Sequence, residues 1–180
     1  MTKLTMLFQS AVAVACLFAL GVSPVVAKDA HVGEIAGRAR VVDGDTLEIS
    51  SHKIRLAGMD APESDQVCRD ESEKAYRCGH EAAEALGRIV AGQNLVCRVR
   101  GTDRYRRLLA QCAVTGTADV GLEMVRLGWA TIYDGGPALP GYSAAETSAR
   151  RQKIGLWRGR FERPSAWRRL HLTGHGGNHA

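Results

Sequence analysis

Long apolar runs are scarce in this sequence of 180 residues. One extended apolar stretch, residues 11–21, lies near the N-terminus, and the remaining chain is too polar for a protein that crosses a membrane many times. The sequence has no CxxC pair, and its cysteine spacings match no zinc-ligand pattern. No segment repeats with a period of about 20–50 residues, which argues against a solenoid.

The composition is that of a single globular domain, with 45% apolar and 24% charged residues. The formal net charge is +5 and the isoelectric point is about 9.1. This basic balance favours an acidic partner, such as nucleic acid or an anionic lipid, and is weak evidence by itself.

The N-terminus has the order of features found in a secretory signal peptide. Lys3 precedes the apolar residues 11–21, and Val25-Val26-Ala27 supplies small residues before a cleavage point. We predict that residues 1–27 are removed and that the mature chain begins at Lys28; an uncleaved anchor is the alternative. The mature protein is then periplasmic or secreted, with no stable membrane association after cleavage.

Four cysteines remain in the mature chain, and an even number in an oxidising compartment predicts two disulfides among three pairings. Alternation along residues 95–100 and 108–114 directs Cys97 and Cys112 to the same apolar side. One antiparallel register pairs these two residues, so we predict the bridge Cys97–Cys112. The bridge Cys68–Cys78 then uses the two cysteines that remain.

The pattern along the chain predicts an α+β fold, a five-stranded OB-type β-barrel with three helices. The predicted strands cover residues 35–42, 46–50, 53–57, 95–100 and 108–114, and a helix covers residues 80–91. A second helix begins at Asp119 as N-cap, and a third begins with a capping box formed by Ser143 and Glu146. Residues 28–34 form a polar lead and residues 35–157 form the domain.

Residues 158–180 are expected to be a basic tail that contains histidine and glycine. Arg168 lies in its basic run and is interpreted as a surface arginine. His171, His175 and His179 recur every four residues, but the intervening glycines make a helical metal site improbable, and the last ten residues are expected to be mobile.

Two short segments carry an unusual set of charged residues, VVDGDT with IRLAGMDAPE, and DRYRRLLA. The carboxylates of Asp43, Asp45, Asp60 and Glu63 lie at turns or loops beside apolar strands and would repel one another without a cation. Ca²⁺ accepts such irregular oxygen ligand sets. Arginines in apolar strands need a carboxylate or phosphate oxygen, and their planar fork suits a phosphoryl group. Each segment alone is typical of an ordinary turn or loop; together they indicate phosphodiester hydrolysis.

These segments resemble the staphylococcal nuclease (thermonuclease) family, and the likeness runs from about Ile35 to Trp157. The resemblance implies an OB-barrel with three helices and a calcium-dependent endonuclease that hydrolyses DNA and RNA and leaves 3′-phosphates. It implies no obligate protein partner. By motif position it assigns catalytic roles to Arg55, Glu63 and Arg107, calcium ligation to Asp45, Asp60 and the backbone carbonyl of Ala61, a place beside the metal to Asp43, and substrate contacts to Arg104, Tyr105 and Tyr133.

The sequence departs from the family pattern at a few positions. Ala61 replaces a threonine, which removes a hydroxyl but keeps the carbonyl, and Arg106 stands where many members have glycine. The four cysteines are an addition. The alternative function is a non-catalytic OB-fold module that binds nucleic acid or protein, although binding alone does not require the complete set of carboxylates and arginines.

Overall fold

The computed structural model describes residues 33–172. The expected signal peptide, the mature N-terminus at Lys28, and His175 and His179 lie outside this range. The strands are β1 (Gly33–Arg38), β2 (Arg40–Val41), β3 (Thr46–Ile49), β4 (His52–Leu56), β5 (Met59–Asp60), β6 (Cys68–Asp70), β7 (Ala75–Tyr76), β8 (Asn94–Thr102), β9 (Leu108–Ala113), β10 (Thr131–Ile132) and β11 (Gly159–Arg160). The α-helices are α1 (Cys78–Val90), α2 (Val120–Arg126), α3 (Tyr142–Gln152) and α4 (Pro164–Leu172), and a 3₁₀ turn covers Gly155–Arg158.

The principal sheet has six strands in the order β1-β8-β9-β4-β3-β2 and curls into a half-barrel. β1 and β2 are the first predicted strand, interrupted at Ala39, so the sheet contains all five predicted strands. Only the β4–β9 pair in this sheet is parallel; the other pairs are antiparallel. The α+β fold predicted from the sequence is therefore confirmed. Within residues 33–172, no helix is both long and apolar enough to span a membrane.

The β8–β9 pair has the predicted register, with Cys97 directly opposite Cys112. Both side chains are buried, their Cα atoms are 4.0 Å apart, and they form a disulfide. The register shifts between Val99 and Gly101, so one extra residue enters β8 just before the loop that carries Arg107. The disulfide thus cross-links β8 and β9 on the side of this bulge that is farther from the loop.

The core fills the concave side of the sheet with aliphatic side chains from the strands and from α1 and α2. Asp119 is the N-cap of α2, as predicted, and its carboxylate accepts the N–H of Leu122. Tyr142, at the start of α3, is fully buried and its hydroxyl donates to the Ala57 carbonyl or to Asp119. These bonds satisfy a polar group that would be costly to bury alone.

The predicted capping box at the start of α3 is wrong. The helix begins at Tyr142 with Gly141 as N-cap, in a left-handed conformation with φ 84° and without a side-chain capping bond. Glu146 is buried instead, accepts the N–H of Ile132 at 3.0 Å and pairs with Arg150. The carboxylate of Glu146, which the sequence pattern predicted would cap the helix, bonds instead to the backbone of β10.

The segment between β4 and α1, for which no strand was predicted, contains three short strands. β5 pairs with β10, and β6 pairs with both β7 and β11. Cys68 and Cys78 form the second disulfide, with Cα atoms 5.6 Å apart, and join β6 to the start of α1. The segment that follows Glu63 is therefore closely held.

Residues expected in the basic tail form β11 and a fourth helix, α4. The interpretation of Arg168 as a surface arginine is wrong, because its side chain is only 28% exposed and contacts two acidic residues of the predicted site. Arg168 therefore differs from the other basic residues around it in the sequence, because its side chain points into the site.

Candidate active site

Close packing of small residues brings the two acidic segments together. Gly44 lies in the turn between β2 and β3, where an added Cβ would be 2.8 Å from the Cβ of Ala61 and 2.9 Å from that of Ala82. The turn is further ordered by Asp43, whose carboxylate accepts the N–H of Asp45 at 2.9 Å. The absence of a side chain at Gly44 therefore lets Asp43 and Asp45 lie beside the segment that begins at Asp60.

Arg55 links the two most deeply buried carboxylates of the site. It lies in β4, between Thr46 of β3 and Leu109 of β9. Its two terminal nitrogens are 2.5 Å from Asp45 Oδ2 and 2.6 Å from Asp60 Oδ1. Burial raises the pKa of Asp45 to about 7, against the opposing effect of the Arg55 charge.

Glu63 and Asp60 share a second guanidinium, that of Arg168 on α4. Arg168 donates to Oδ1 and Oδ2 of Asp60 at 3.0 and 2.9 Å, and to Oε1 of Glu63 at 2.7 Å. Asp60 is 1% exposed, whereas the Glu63 side chain is 35% exposed. Glu63 thus has one oxygen held by arginine while its side chain still reaches solvent.

Arg107 enters the site from the loop before β9 and is held by one carboxylate and one hydroxyl group. Its Nε donates to Asp103 Oδ2 at 2.8 Å and its Nη1 donates to the Thr46 hydroxyl at 3.2 Å. That hydroxyl in turn donates to Asp45 Oδ1 at 2.8 Å. Burial acts to raise the pKa of Asp103, but hydrogen bonds from Arg107 outweigh it and hold that pKa below its ordinary value.

The predicted site residues other than Asp60 border one cleft of about 1070 Å³. Tyr105 is 61% exposed and Tyr133 is 43% exposed, and each presents an aromatic ring at the cleft. The guanidinium of Arg104 lies 4.8 Å from the centre of the Tyr105 ring. The cleft lining includes all the predicted site residues except Asp60, which is buried beneath Arg55 and Arg168.

The backbone around Glu63 is anchored by buried groups. The side chain of Gln66 is completely buried, accepts the N–H of Glu63 at 3.2 Å and donates to the carbonyl of Glu162 at 2.7 Å. Gly79 at the start of α1 leaves no room for a Cβ, which would lie 1.7 Å from the Glu63 carbonyl oxygen. Glu63 is therefore fixed relative to both α1 and the segment before α4.

The donor set fits a hard divalent cation in charge and in chemistry. Four carboxylates, those of Asp43, Asp45, Asp60 and Glu63, border the region where Arg55 and Arg168 supply two positive charges. When all four carboxylates are ionised, two negative charges remain unbalanced, and all the donor atoms are oxygens, the ligands that Ca²⁺ prefers. Within the described part of the chain, no three Asp, Glu, His or Cys side chains are close enough to form a metal site alone. Backbone carbonyls or water would have to complete the ligand set.

Sequence reasoning missed Arg168, Thr46, Asp103 and Gln66 as parts of the site. Asp103 and Thr46 lie within the unusual segments, four residues before Arg107 and directly after Asp45, but Gln66 has ordinary surroundings in the sequence. Arg168 lies 105 residues from Glu63. A possible signal was Pro164, since proline is common in the first turn of a helix.

The comparisons with known proteins agree with this geometry. The family model described as "Staphylococcal nuclease homologue" matches residues 53–159, a range that contains Arg55, Asp60, Glu63 and Arg107. Asp43 and Asp45 lie before it.

Three relatives illustrate the similarity. "Succinoglycan biosynthesis protein ExoI" of Rhizobium meliloti (strain 1021) is 38% identical over 143 residues, which cover 78% of this chain and 74% of that protein. An "Uncharacterized endonuclease" of Escherichia coli O157:H7 is 33% identical over 74% of this chain and 81% of its own. "Probable endonuclease LCL3" of Pyricularia oryzae (strain 70-15 / ATCC MYA-4617 / FGSC 8958) is 32% identical over 78% of this chain but only 59% of its own length. The family match covers more than half of the sequence and the relatives share this region, so the chain belongs to the staphylococcal nuclease family.

Proposed function

We propose that this protein is an exported, calcium-dependent endonuclease that hydrolyses DNA and RNA and leaves 3′-phosphates. Membership of the nuclease family and the endonuclease names of several relatives support hydrolysis of nucleic acid. The observation that carries the proposal is the convergence of Arg55, Arg107 and the carboxylates of Asp45 and Glu63 at one cleft, with Asp60 buried directly beneath.

Arg55 and Arg107 are the groups that would bind the phosphate in the transition state. A guanidinium has five N–H donors, so each arginine can keep its carboxylate partner and still donate to a phosphoryl oxygen. They come from different parts of the sheet, β4 and the loop before β9, and both border the cleft. Donors held in place before the reaction stabilise the additional negative charge of the pentacoordinate phosphorus.

Glu63 is the proposed general base. It would accept a proton from the attacking water as the water oxygen bonds to phosphorus and the bond to the 5′-oxygen breaks. One fragment keeps the 3′-phosphate, and the departing 5′-oxygen takes a proton from solvent and becomes a hydroxyl. Its partial exposure and its position at the cleft support this role. Asp45, Asp60 and the Ala61 carbonyl would hold Ca²⁺, with Asp43 nearby, and the bound ion would supply further charge stabilisation.

The substrate would extend across the exposed side of the cleft. Arg104 would contact a phosphate, while the rings of Tyr105 and Tyr133 are exposed surfaces suited to stacking with nucleotides. Such contacts do not depend on base identity or on the 2′-hydroxyl, which supports activity on both DNA and RNA. No obligate protein partner is needed for this chemistry.

Export is supported by the two disulfides, which form and persist in oxidising compartments. We propose that the mature protein is periplasmic or secreted. N-terminal sequencing of the protein from its native host should give Lys28 as the first residue; recovery of Met1 would contradict cleavage.

Release of acid-soluble nucleotides from DNA and from RNA, in calcium and in chelator, tests the proposed activity. We expect release of nucleotides from both substrates in calcium and its loss in chelator, with product ends that polymerase extends only after phosphatase treatment. The Glu63→Gln variant should bind substrate but hydrolyse it much more slowly. Binding without hydrolysis by the unaltered protein would instead identify a non-catalytic nucleic-acid-binding module.

A further inference from the structure

α4 contributes a third arginine to the acidic end of the cleft. Arg168 makes a two-point contact with both oxygens of Asp60 and a third contact with Glu63, at 2.7–3.0 Å. Paired contacts between a guanidinium and a carboxylate fix direction as well as charge. Among the described residues, Arg168 is the cation that touches Glu63 in an ion pair.

The helix that carries Arg168 is attached to the domain through its first turn and the two residues before it. Before the helix, Arg163 donates to the Ile132 carbonyl at 3.1 Å and Glu162 accepts from the buried Gln66. Within it, the Ser165 hydroxyl donates to Asp134 at 2.9 Å. The rings of Trp167 and His171 stack with centroids 3.9 Å apart and both line the cleft. The two rings make α4 a wall of the cleft, and the three hydrogen bonds to other parts of the domain restrict the direction in which Arg168 points.

We infer that Arg168 is a positioning residue, which orients the Glu63 carboxylate and binds it to the deeply buried Asp60. Its contact uses Oε1 of Glu63, and no side chain within residues 33–172 bonds to the other oxygen, which can therefore contact a water molecule. A glutamate that is partly exposed would otherwise sample several rotamers. When Arg168 holds the Glu63 carboxylate in one rotamer, a larger fraction of the bound complexes has the geometry needed for attack. The contact therefore raises the reaction rate more than it raises substrate affinity. This inference rests on the proposed nuclease function.

The opposite role for the same contacts is that of a tethered cation that competes with the metal. Removal of Arg168 adds net negative charge to the site, so both roles predict tighter calcium binding by the variant. The roles differ once calcium is saturating. A competitor is then already displaced and its removal leaves kcat unchanged or higher, whereas loss of a positioning residue lowers kcat.

The kinetic test compares Arg168→Gln and Arg168→Lys with the unaltered protein in saturating calcium. We expect Arg168→Gln to lower kcat by a factor of about ten or more, with KM changed less than about threefold, as for loss of orientation. Arg168→Lys should have an intermediate kcat, because an ammonium keeps the charge but loses the planar contact. Arg169→Gln, on the exposed side of the same helix, is the matched control and should keep its rate. An unchanged or higher kcat for Arg168→Gln, or full activity of Arg168→Lys, would overturn the inference.

A second measurement does not depend on nuclease activity. Denaturant unfolding of Arg168→Gln, Glu63→Gln and the double variant, in chelator, forms a double-mutant cycle. We expect the two changes to be non-additive, because the second substitution removes a contact that the first has already broken. Additive effects would show that Arg168 does not hold Glu63, whatever the protein hydrolyses. Lack of hydrolysis by the unaltered protein together with non-additive unfolding would reject the nuclease function but keep the ion pair.

Discussion

The close packing around Gly44 predicts that a side chain at this position would separate the two acidic segments of the site. In Gly44→Ala, the new methyl group would lie under 3.0 Å from the methyl groups of both Ala61 and Ala82. Neither neighbour has a flexible side chain that can turn away, so backbone must move. The least restrained movement separates the turn that carries Asp43 and Asp45 from the segment that carries Asp60.

The expected loss of stability is about 1–3 kcal/mol, the usual result of adding a methyl group to a well-packed core. For a domain of this size that corresponds to a decrease in Tm of roughly 3–10 °C. Gly87→Ala is the matched control, because Gly87 lies in α1 and an added Cβ would meet nothing within 4 Å. There the same substitution should stabilise the protein by roughly 0.5–1 kcal/mol, since alanine is the better helix former.

The assay is thermal unfolding of both variants, with calcium titration of each folded protein by calorimetry. Gly44→Ala should lower both Tm and calcium affinity, while Gly87→Ala raises Tm and leaves affinity unchanged. If Gly44→Ala keeps the stability and calcium affinity of the unaltered protein, the close packing at this turn does not hold the two acidic segments together.

Four further predictions concern the arginines, a disulfide and the metal. Arg107→Lys should reduce kcat by a factor on the order of 10² or more in saturating calcium, because lysine lacks the two-point phosphate contact; Arg126→Lys, at an exposed position on α2, is the control, and equal rates would remove Arg107 from catalysis. Arg106 has φ 65°, so Arg106→Gly should be more stable than Arg106→Ala by about 1 kcal/mol in denaturant unfolding; equal stabilities would contradict this. Replacement of Cys97 and Cys112 by alanine should reduce the unfolding free energy by roughly 3 kcal/mol, the value for a loop of about 15 residues; a much smaller loss would mean that the bridge adds little. Addition of calcium to chelated protein should raise Tm, since a ligand that binds only the folded state stabilises it; an unchanged Tm at millimolar calcium would contradict a calcium site.

The parts of the fold that sequence predicted are those governed by local period or by adjacent strands. Alternation in β8 and β9 gave the register that places Cys97 opposite Cys112, because a shift by one residue would turn each apolar side chain outward. The N-cap at Asp119 depended on a bond to Leu122, three residues away. In both cases the partner lies close along the chain or along a neighbouring strand.

The parts that sequence did not predict depend on contacts between distant segments. β5 is two residues long and pairs with β10, with Asp60 opposite Thr131, so it has no period of its own. Glu146 matched a capping box by spacing, yet it bonds to Ile132 because burial beside β10 gave the carboxylate a better partner. Local propensity cannot rank a local bond against a distant one when both use the same side chain.

The candidate site illustrates the same difference within a single charge network. Arg55 was identifiable because an arginine among the apolar residues of a strand needs an anionic partner. The turn before β3 supplies Asp45 and the end of β5 supplies Asp60. Arg168 lies among other basic residues on a short helix, where charge usually indicates a solvated surface. Only the position of α4 against the cleft distinguishes it from Arg169. Arg55 and Arg168 both bind Asp60, so loss of that carboxylate would leave two cations facing one another. The contribution of each charged residue to the site therefore depends on the whole network of contacts.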